Sequence, residues 1–164
     1  MSVAAAASGG GVTGPDATIL SEMRRIESRP HTPSPETTNR MRSVRRHGTA
    51  AEEAVRRALW ALGVRCRQNV NRLPGSPDLV SFPRKLAVFV HGCFWHSHPR
   101  CTFASVPRSN TQFWKAKLNA NVLRDRRKSR ELRELGYRVV VVWECQTRRG
   151  DLGQRISRLL ERPR

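Results

Sequence analysis

The sequence predicts a mixed α/β domain, a small sheet flanked by helices and braced by a metal-binding loop. Three observations predict it. Short apolar runs bounded by turn residues alternate with stretches of helical periodicity, in the order helix, three strands, helix, strand, helix. The chain has 164 residues, 38% of them hydrophobic, which suffices for one modest core. Cysteines and histidines gather in the irregular stretch between the third strand and the second helix.

Residues 1–33 are rich in Ala, Gly, Ser, Thr and Pro and carry too few apolar side chains to offset ordering entropy. They are expected to be a disordered tail, with a helical turn over 19–26, and 34–164 to be the folded domain. Arg40, Arg42, Arg45 and Arg46 form a basic approach to it. The first firm element spans 49–62. Thr49 is an N-cap with Glu52 three residues on, Val55, Ala58, Leu59 and Leu62 share one face, and Gly63 stops the helix. Trp60 is expected in the core. Residues 64–67 alternate apolar and basic residues as a short strand, with Cys66 pointing inward.

Residues 73–77, Leu-Pro-Gly-Ser-Pro, make a turn. Strands are expected over 78–82 and 86–90, joined by Pro83-Arg84 as a hairpin-like pair. Residues 92–107 are irregular. A long polar helix follows over 110–135, with Phe113, Leu118, Val122, Leu132 and Leu135 as its apolar marks and Gly136 as its stop. Residues 137–143 form an unbroken apolar run, expected to be a central strand buried on both faces, with Trp143 in the core. Asp151 caps a last helix bearing Leu152, Ile156, Leu159 and Leu160.

The formal net charge is +18, from 31 Lys+Arg against 13 Asp+Glu. Such a field attracts polyanions and points to nucleic acid. A ribosomal-type protein, a membrane-surface protein or a compositional Arg bias are the plainer readings, the last because only 4 of the 31 basic residues are Lys. No apolar run approaches the ~20 residues that span a bilayer. The first residues lack the pattern of a secretory signal, so a cytoplasmic location with reduced thiols is expected.

Cys93, His98 and Cys101 follow a C-x4-H-x2-C spacing, and Cys145 lies just past the last strand. Three thiolates and an imidazole satisfy tetrahedral Zn2+ with no open position, a structural site. The plainer reading makes Cys145 a core thiol. His91 and His96 remain as either proton shuttles or structural histidines. Asp78, at a strand start facing the end of the next strand, has the chemistry to hold Mg2+, although Asp is common after Pro in turns. Capping alone accounts for Glu52, which would reach the same site only if its helix end packed against Asp78. Phe94, Trp95 and Trp114 are either core cover beneath the loop or wedges for a base stack.

Several stretches match a known pattern. They are Thr49-Ala50-Ala51-Glu52, Leu73-Pro74-Gly75-Ser76-Pro77-Asp78, His91-Gly92-Cys93-Phe94-Trp95-His96, Phe113-Trp114 with Asn121-Val122 and Arg124-Asp125, and Val142-Trp143-Glu144-Cys145. From about Arg42 to the last helix the chain resembles the very short patch repair endonucleases. The resemblance implies a restriction-endonuclease-like fold. It implies nicking of double-stranded DNA 5′ of the thymine in T:G mismatches left by deamination of 5-methylcytosine, and hence coupling to a cytosine-5 methyltransferase and to general mismatch repair, in a monomer near the nucleoid. Carried over, Asp78 and the backbone carbonyl of Val90 hold Mg2+. His96 assists the attacking water, with Glu52 and His91 in support. Cys93, His98, Cys101 and Cys145 bind zinc, and Phe94, Trp95 and Trp114 intercalate.

The chain departs from the family pattern in three places. Val90 stands where a Thr is familiar, which a carbonyl role survives and a hydroxyl role would not. One extra residue separates His98 from Cys101. The tail before Pro35 has no counterpart. The acidic-x-Lys pair of many restriction-type nucleases is missing from residues 87–90, as suits this family. The competing readings are a restriction-type nuclease of the same fold and a zinc-braced DNA-binding protein without catalysis.

Overall fold

The computed structural model describes residues 48–161. The expectations for the tail, for residues 19–26 and for the basic approach at 40–46 lie outside the described residues. Within them run helix α1 (Ala50–Ala61), β1 (Arg67–Gln68), β2 (Leu79–Ser81), β3 (Leu86–His91), a 3-10 turn (Thr102–Ala104), α2 (Thr111–Glu134), β4 (Arg138–Trp143), the short α3 (Glu144–Thr147) and α4 (Leu152–Glu161). The four strands form one mixed sheet in the order β1-β2-β3-β4, antiparallel except for the parallel β3–β4 pair that α2 connects. This is the restriction-endonuclease-like arrangement, a mixed sheet with helices on both faces.

Alternation along β3 and β4 decides what each face carries. Leu86, Val88, Val140 and Val142 face α1 and α4, where they join Val55, Leu59, Leu152 and Ile156 in the larger core. Ala87, Phe89, Val139 and Val141 belong to the second cluster, whose helical member is Leu132 of α2. Each strand thus ends its α2-side row on a functional ring, His91 on β3 and Trp143 on β4, and these two residues are register partners.

Helix boundaries follow the expected caps. Thr49 Oγ1 accepts from the Glu52 N–H at 3.2 Å and donates to Glu52 Oε1 at 2.9 Å. The carboxylate also accepts from Gly48 N at 3.0 Å, so the reciprocal bond of the capping box reaches one residue further back. Gly63 takes φ +71 past the helix end. At the other end of the domain, the Arg138 guanidinium donates to the carbonyls of Leu159 and Leu160, satisfying last-turn acceptors of α4 and tying it to β4.

Four expectations are corrected. The strand over 64–67 shrinks to Arg67–Gln68, because Val64 is already committed to the core and only the next residues reach β2. Among the described residues β4 is an outer strand, and its apolar run reflects helices on both faces instead of strands on both sides. Trp60 is 55% exposed, its ring covered by the Arg65 guanidinium at 3.5 Å; a position one step beyond Leu59 has left the buried face. Leu135, past the end of α2, is also exposed. Cys66 is half-buried against the larger core, and burial pushes its thiol pKa up.

Candidate active site and metal centre

Between the ends of β2 and β3 and the middle of α2 lies a pocket of about 230 Å³ lined by Asp78, Val90, His91, His96, Arg124, Asp125 and Lys128 among others. The sequence builds it locally. The turn before β2 needs Gly75 at φ +77, where a Cβ would meet Lys128 Cβ at 2.9 Å and Phe89 Cζ at 3.2 Å. That close approach lets α2 pack over the strand end. Asp78 then enters β2, and its Oδ2 accepts the Val90 N–H at 2.7 Å. This bond fixes a carboxylate beside the Val90 backbone.

His91 is buried, and its ring stacks on that of His96 at 3.9 Å and 10°. Burial, then the neighbouring His96, lower its pKa to about 4 against the pull of Asp125. His96 Nδ1 sits 2.6 Å from Asp125 Oδ2. A carboxylate there accepts a proton held on Nδ1, which leaves Nε2 as the basic nitrogen. Asp125 was not singled out as a site residue from the sequence. Its signal was there: Leu118, Asp125 and Leu132 are spaced by seven, so a carboxylate interrupts the buried stripe of a basic helix. From the same stripe Asn121 Nδ2 donates to the Trp95 carbonyl at 2.9 Å, holding the loop against α2.

Glu52 is not among the pocket-lining residues; its carboxylate accepts from Gly48 N and Thr49 Oγ1, and its own N–H donates to Thr49 Oγ1.

The second constellation lies at the far side of the same loop. Ligand atoms of Cys93, His98, Cys101 and Cys145 all fall within 4.8 Å of one another. His98 Nδ1 is 3.5 Å from Cys93 Sγ and 3.3 Å from Cys145 Sγ. Ser97 and Arg100, on either side of His98, take positive φ without being glycine, a course costing about 1–2 kcal/mol per residue that a closed ligand shell would offset. Burial pushes the Cys93 thiol up to about 12, so a thiolate there requires a cation beside it. Three sulfurs and one imidazole nitrogen at this spacing fit a tetrahedral metal ion.

Trp143 joins the two centres. Its ring stacks on His98 at 4.2 Å and 12°, and meets His91 edge-on at 5.4 Å. The rings His96, His91, Trp143 and His98 therefore form one column from pocket to metal cluster. Expected in the core, Trp143 is half-buried, placed between His91 and His98. Phe94 packs edge-to-face on Trp95 at 5.0 Å and on Trp114 at 5.4 Å between centroids, and the Trp95 and Trp114 rings are tilted to each other at 6.2 Å. Trp114 is 8% exposed, so the cluster covers it while Phe94 and Trp95 are half-exposed.

No helix among the described residues is long and apolar enough to cross a membrane. Residues 23–102 match the sequence profile of the family described as DNA mismatch endonuclease Vsr. The type II nicking enzyme V.XorIIP of Xanthomonas oryzae pv. oryzae is 44% identical over 119 residues, covering 73% of this chain and 85% of that protein. The type II nicking enzyme V.NmeAIP of Neisseria meningitidis is 41% identical over 113 residues, 68% of this chain and 80% of that protein. The DNA mismatch endonuclease Vsr of Escherichia coli is 43% identical over 108 residues, 66% of this chain and 69% of that protein. This basic chain sets two carboxylates and two histidines in one pocket, and similarity on this scale makes the conclusion direct: the chain belongs to the Vsr DNA mismatch endonuclease family and is a DNA endonuclease.

Proposed function

We propose that this endonuclease nicks one strand of double-stranded DNA 5′ of the thymine in a T:G mismatch, the lesion left when 5-methylcytosine deaminates, and so begins its repair. The observation that carries the reading is the pairing of Asp78, bonded to the Val90 N–H, with the His96–Asp125 dyad across one small pocket. Its volume accommodates a phosphodiester group with a few waters, each water taking about 30 Å³. Asp78 and the Val90 carbonyl would hold Mg2+, a hard cation suited to oxygen ligands. When bound, Mg2+ supplies Lewis-acid polarisation of the phosphoryl oxygen and a more acidic water.

The chain's own groups do the rest. His96 Nε2 takes the proton of the attacking water, and Asp125 stabilises the imidazolium that results. His91 stays neutral beside it and fixes the ring plane by stacking. Arg124 and Lys128 place positive charge at the pocket wall where the phosphate arrives. Glu52 contributes by fixing the start of α1.

Cys93, His98, Cys101 and Cys145 would hold a structural Zn2+. Phe94 and Trp95 lead the insertion beside the mismatch, and Trp114 follows once the cluster opens on DNA. A mismatched pair lowers the cost of that unstacking, which favours T:G over matched T:A. The names of the relatives, mismatch endonuclease and nicking enzymes, support strand nicking at mismatches. The substrate arises where a cytosine-5 methyltransferase has acted, and a monomer with one pocket suits a single-strand nick.

The test is cleavage of labelled duplexes bearing one T:G mismatch in varied sequence contexts, beside matched T:A duplexes, with Mg2+. The expected result is a single nick 5′ of the mismatched thymine that Asp78→Ala abolishes while DNA binding persists. Cutting of matched DNA would establish a restriction-type nuclease instead, and binding without cutting a non-catalytic protein.

A further inference from the structure

We infer that His91, His96 and Asp125 form a second transition-metal site, separate from the cysteine cluster, and that a Zn2+ bound there silences cutting. One ligand atom from each of the three lies within 4.8 Å of the others, the same closeness that unites the cysteine cluster. Two imidazoles and a carboxylate with open positions suit Zn2+, Co2+ or Ni2+. Mg2+ prefers an all-oxygen shell and is drawn to Asp78 and the Val90 carbonyl. The pocket thus sorts two classes of cation onto two walls, oxygen donors at the strand ends and nitrogen donors where β3, the loop and α2 meet.

The donors are close enough to share an ion after one ring turns. The two rings are stacked at 3.9 Å and 10°, so their in-plane lone pairs run parallel, and a rotation about the side chain brings the second nitrogen onto the ion. Asp125 is already 2.6 Å from His96, so the carboxylate needs little movement to join a shared ion. The cluster opens on the pocket, which gives an ion a way in. Trp143, edge-on to His91 at 5.4 Å, supports one wall of the site. A cation shared with Asp125 binds His96 at Nδ1, which takes the carboxylate from its orienting role and leaves the ring proton on Nε2, the nitrogen that acts as base in the proposed mechanism. Zinc is then structural at the cysteines and inhibitory at the histidines, and excess Zn2+ tunes activity without displacing Mg2+.

Metal binding at this site stands on the ligand geometry alone; the silencing rests on the proposed role of His96. The experiment dialyses the untagged full chain, His96→Gln and Asp125→Asn against Zn2+ and counts bound metal, with parallel titrations of Co2+ followed by absorption. Two ions per chain are expected, falling to one in each variant, with affinity for the second ion reduced at least about tenfold. The thiolate-to-Co2+ absorption saturates at the first equivalent in all three proteins, which verifies that the variants fold and keep the cysteine site. One ion in the unaltered chain would overturn the proposal, as would a second ion that both variants retain.

In the Mg2+ nicking assay, the second Zn2+ equivalent is expected to slow cutting by about 10²-fold or more, the usual worth of a general base. Undiminished cutting at two equivalents would overturn the silencing. A chain that binds the second ion but never nicks DNA would sink the proposed function while leaving the metal site standing.

Discussion

His96 of the loop and Asp125 of α2 meet at 2.6 Å although 29 residues separate them, and the contact orients the histidine that faces the scissile phosphate in the proposed mechanism. Asp125→Asn keeps the shape but not the charge that stabilises an imidazolium. The expected result is a drop in kcat of about 10²–10⁴-fold. DNA affinity should change little, since a carboxylate supplies no attraction for a phosphate. Single-turnover nicking beside a binding titration measures the split; equal losses in both would make Asp125 a structural residue only.

Cys145 closes the metal cluster from the short helix after β4, and no other ligand comes from that part of the chain. Cys145→Ser removes the link that ties β4 to the loop carrying His91, His96 and Phe94. We expect loss of bound zinc and a Tm lower by about 10 °C or more, at about 4 °C per kcal/mol for a domain this size. Metal analysis with thermal unfolding tests it; full zinc content and an unchanged Tm would refute the structural role.

Buried His91 sets a pH dependence of stability. Its folded pKa is about 4, below the ordinary 6.5, so between those values the unfolded chain binds a proton that the folded chain refuses. Stability therefore falls as pH drops from about 6.5 towards 4, by on the order of 3 kcal/mol, and this loss is complete below the folded value. Zinc-ligand protonation adds its own slope, so the readout is the difference from His91→Gln, which should lose this part. Urea unfolding at several pH values between 4 and 7 measures it; parallel curves for the two proteins would remove His91 as the cause.

Gly75 is a point where backbone and helix come closest. At φ +77 an alanine costs about 1–2 kcal/mol, and its Cβ would press on Lys128 Cβ at 2.9 Å. Gly75→Ala is expected to lower Tm by about 4–8 °C and to weaken nicking, because α2 carries Asp125 one turn from Lys128. The same substitution at Gly136, φ +80 with nothing within 4 Å, should cost stability with little effect on nicking. Equal effects on nicking at both positions would show that the close approach does not position the site.

The sequence alone determined the elements and the ligand inventory. Caps at Thr49 and Gly63, the Pro-Gly turn before Asp78 and the apolar runs of β3 and β4 are local signals, each set by residues within a few positions. The four residues of the cysteine cluster were legible as a group because their donor types admit few other uses, and the fold brings them together. Tertiary structure decided the rest. A helical stripe does not announce which strand end it will cover, so the partnership of His96 with Asp125 waited on α2 crossing the sheet. Strand order is likewise set by which helix covers which face; that is why an apolar run read as central is an outer strand among the described residues. Trp60 and Glu52 show the same limit at single residues. One turned outward by a single helical step and the other spent its carboxylate on its own helix end, because burial and reach depend on what packs alongside.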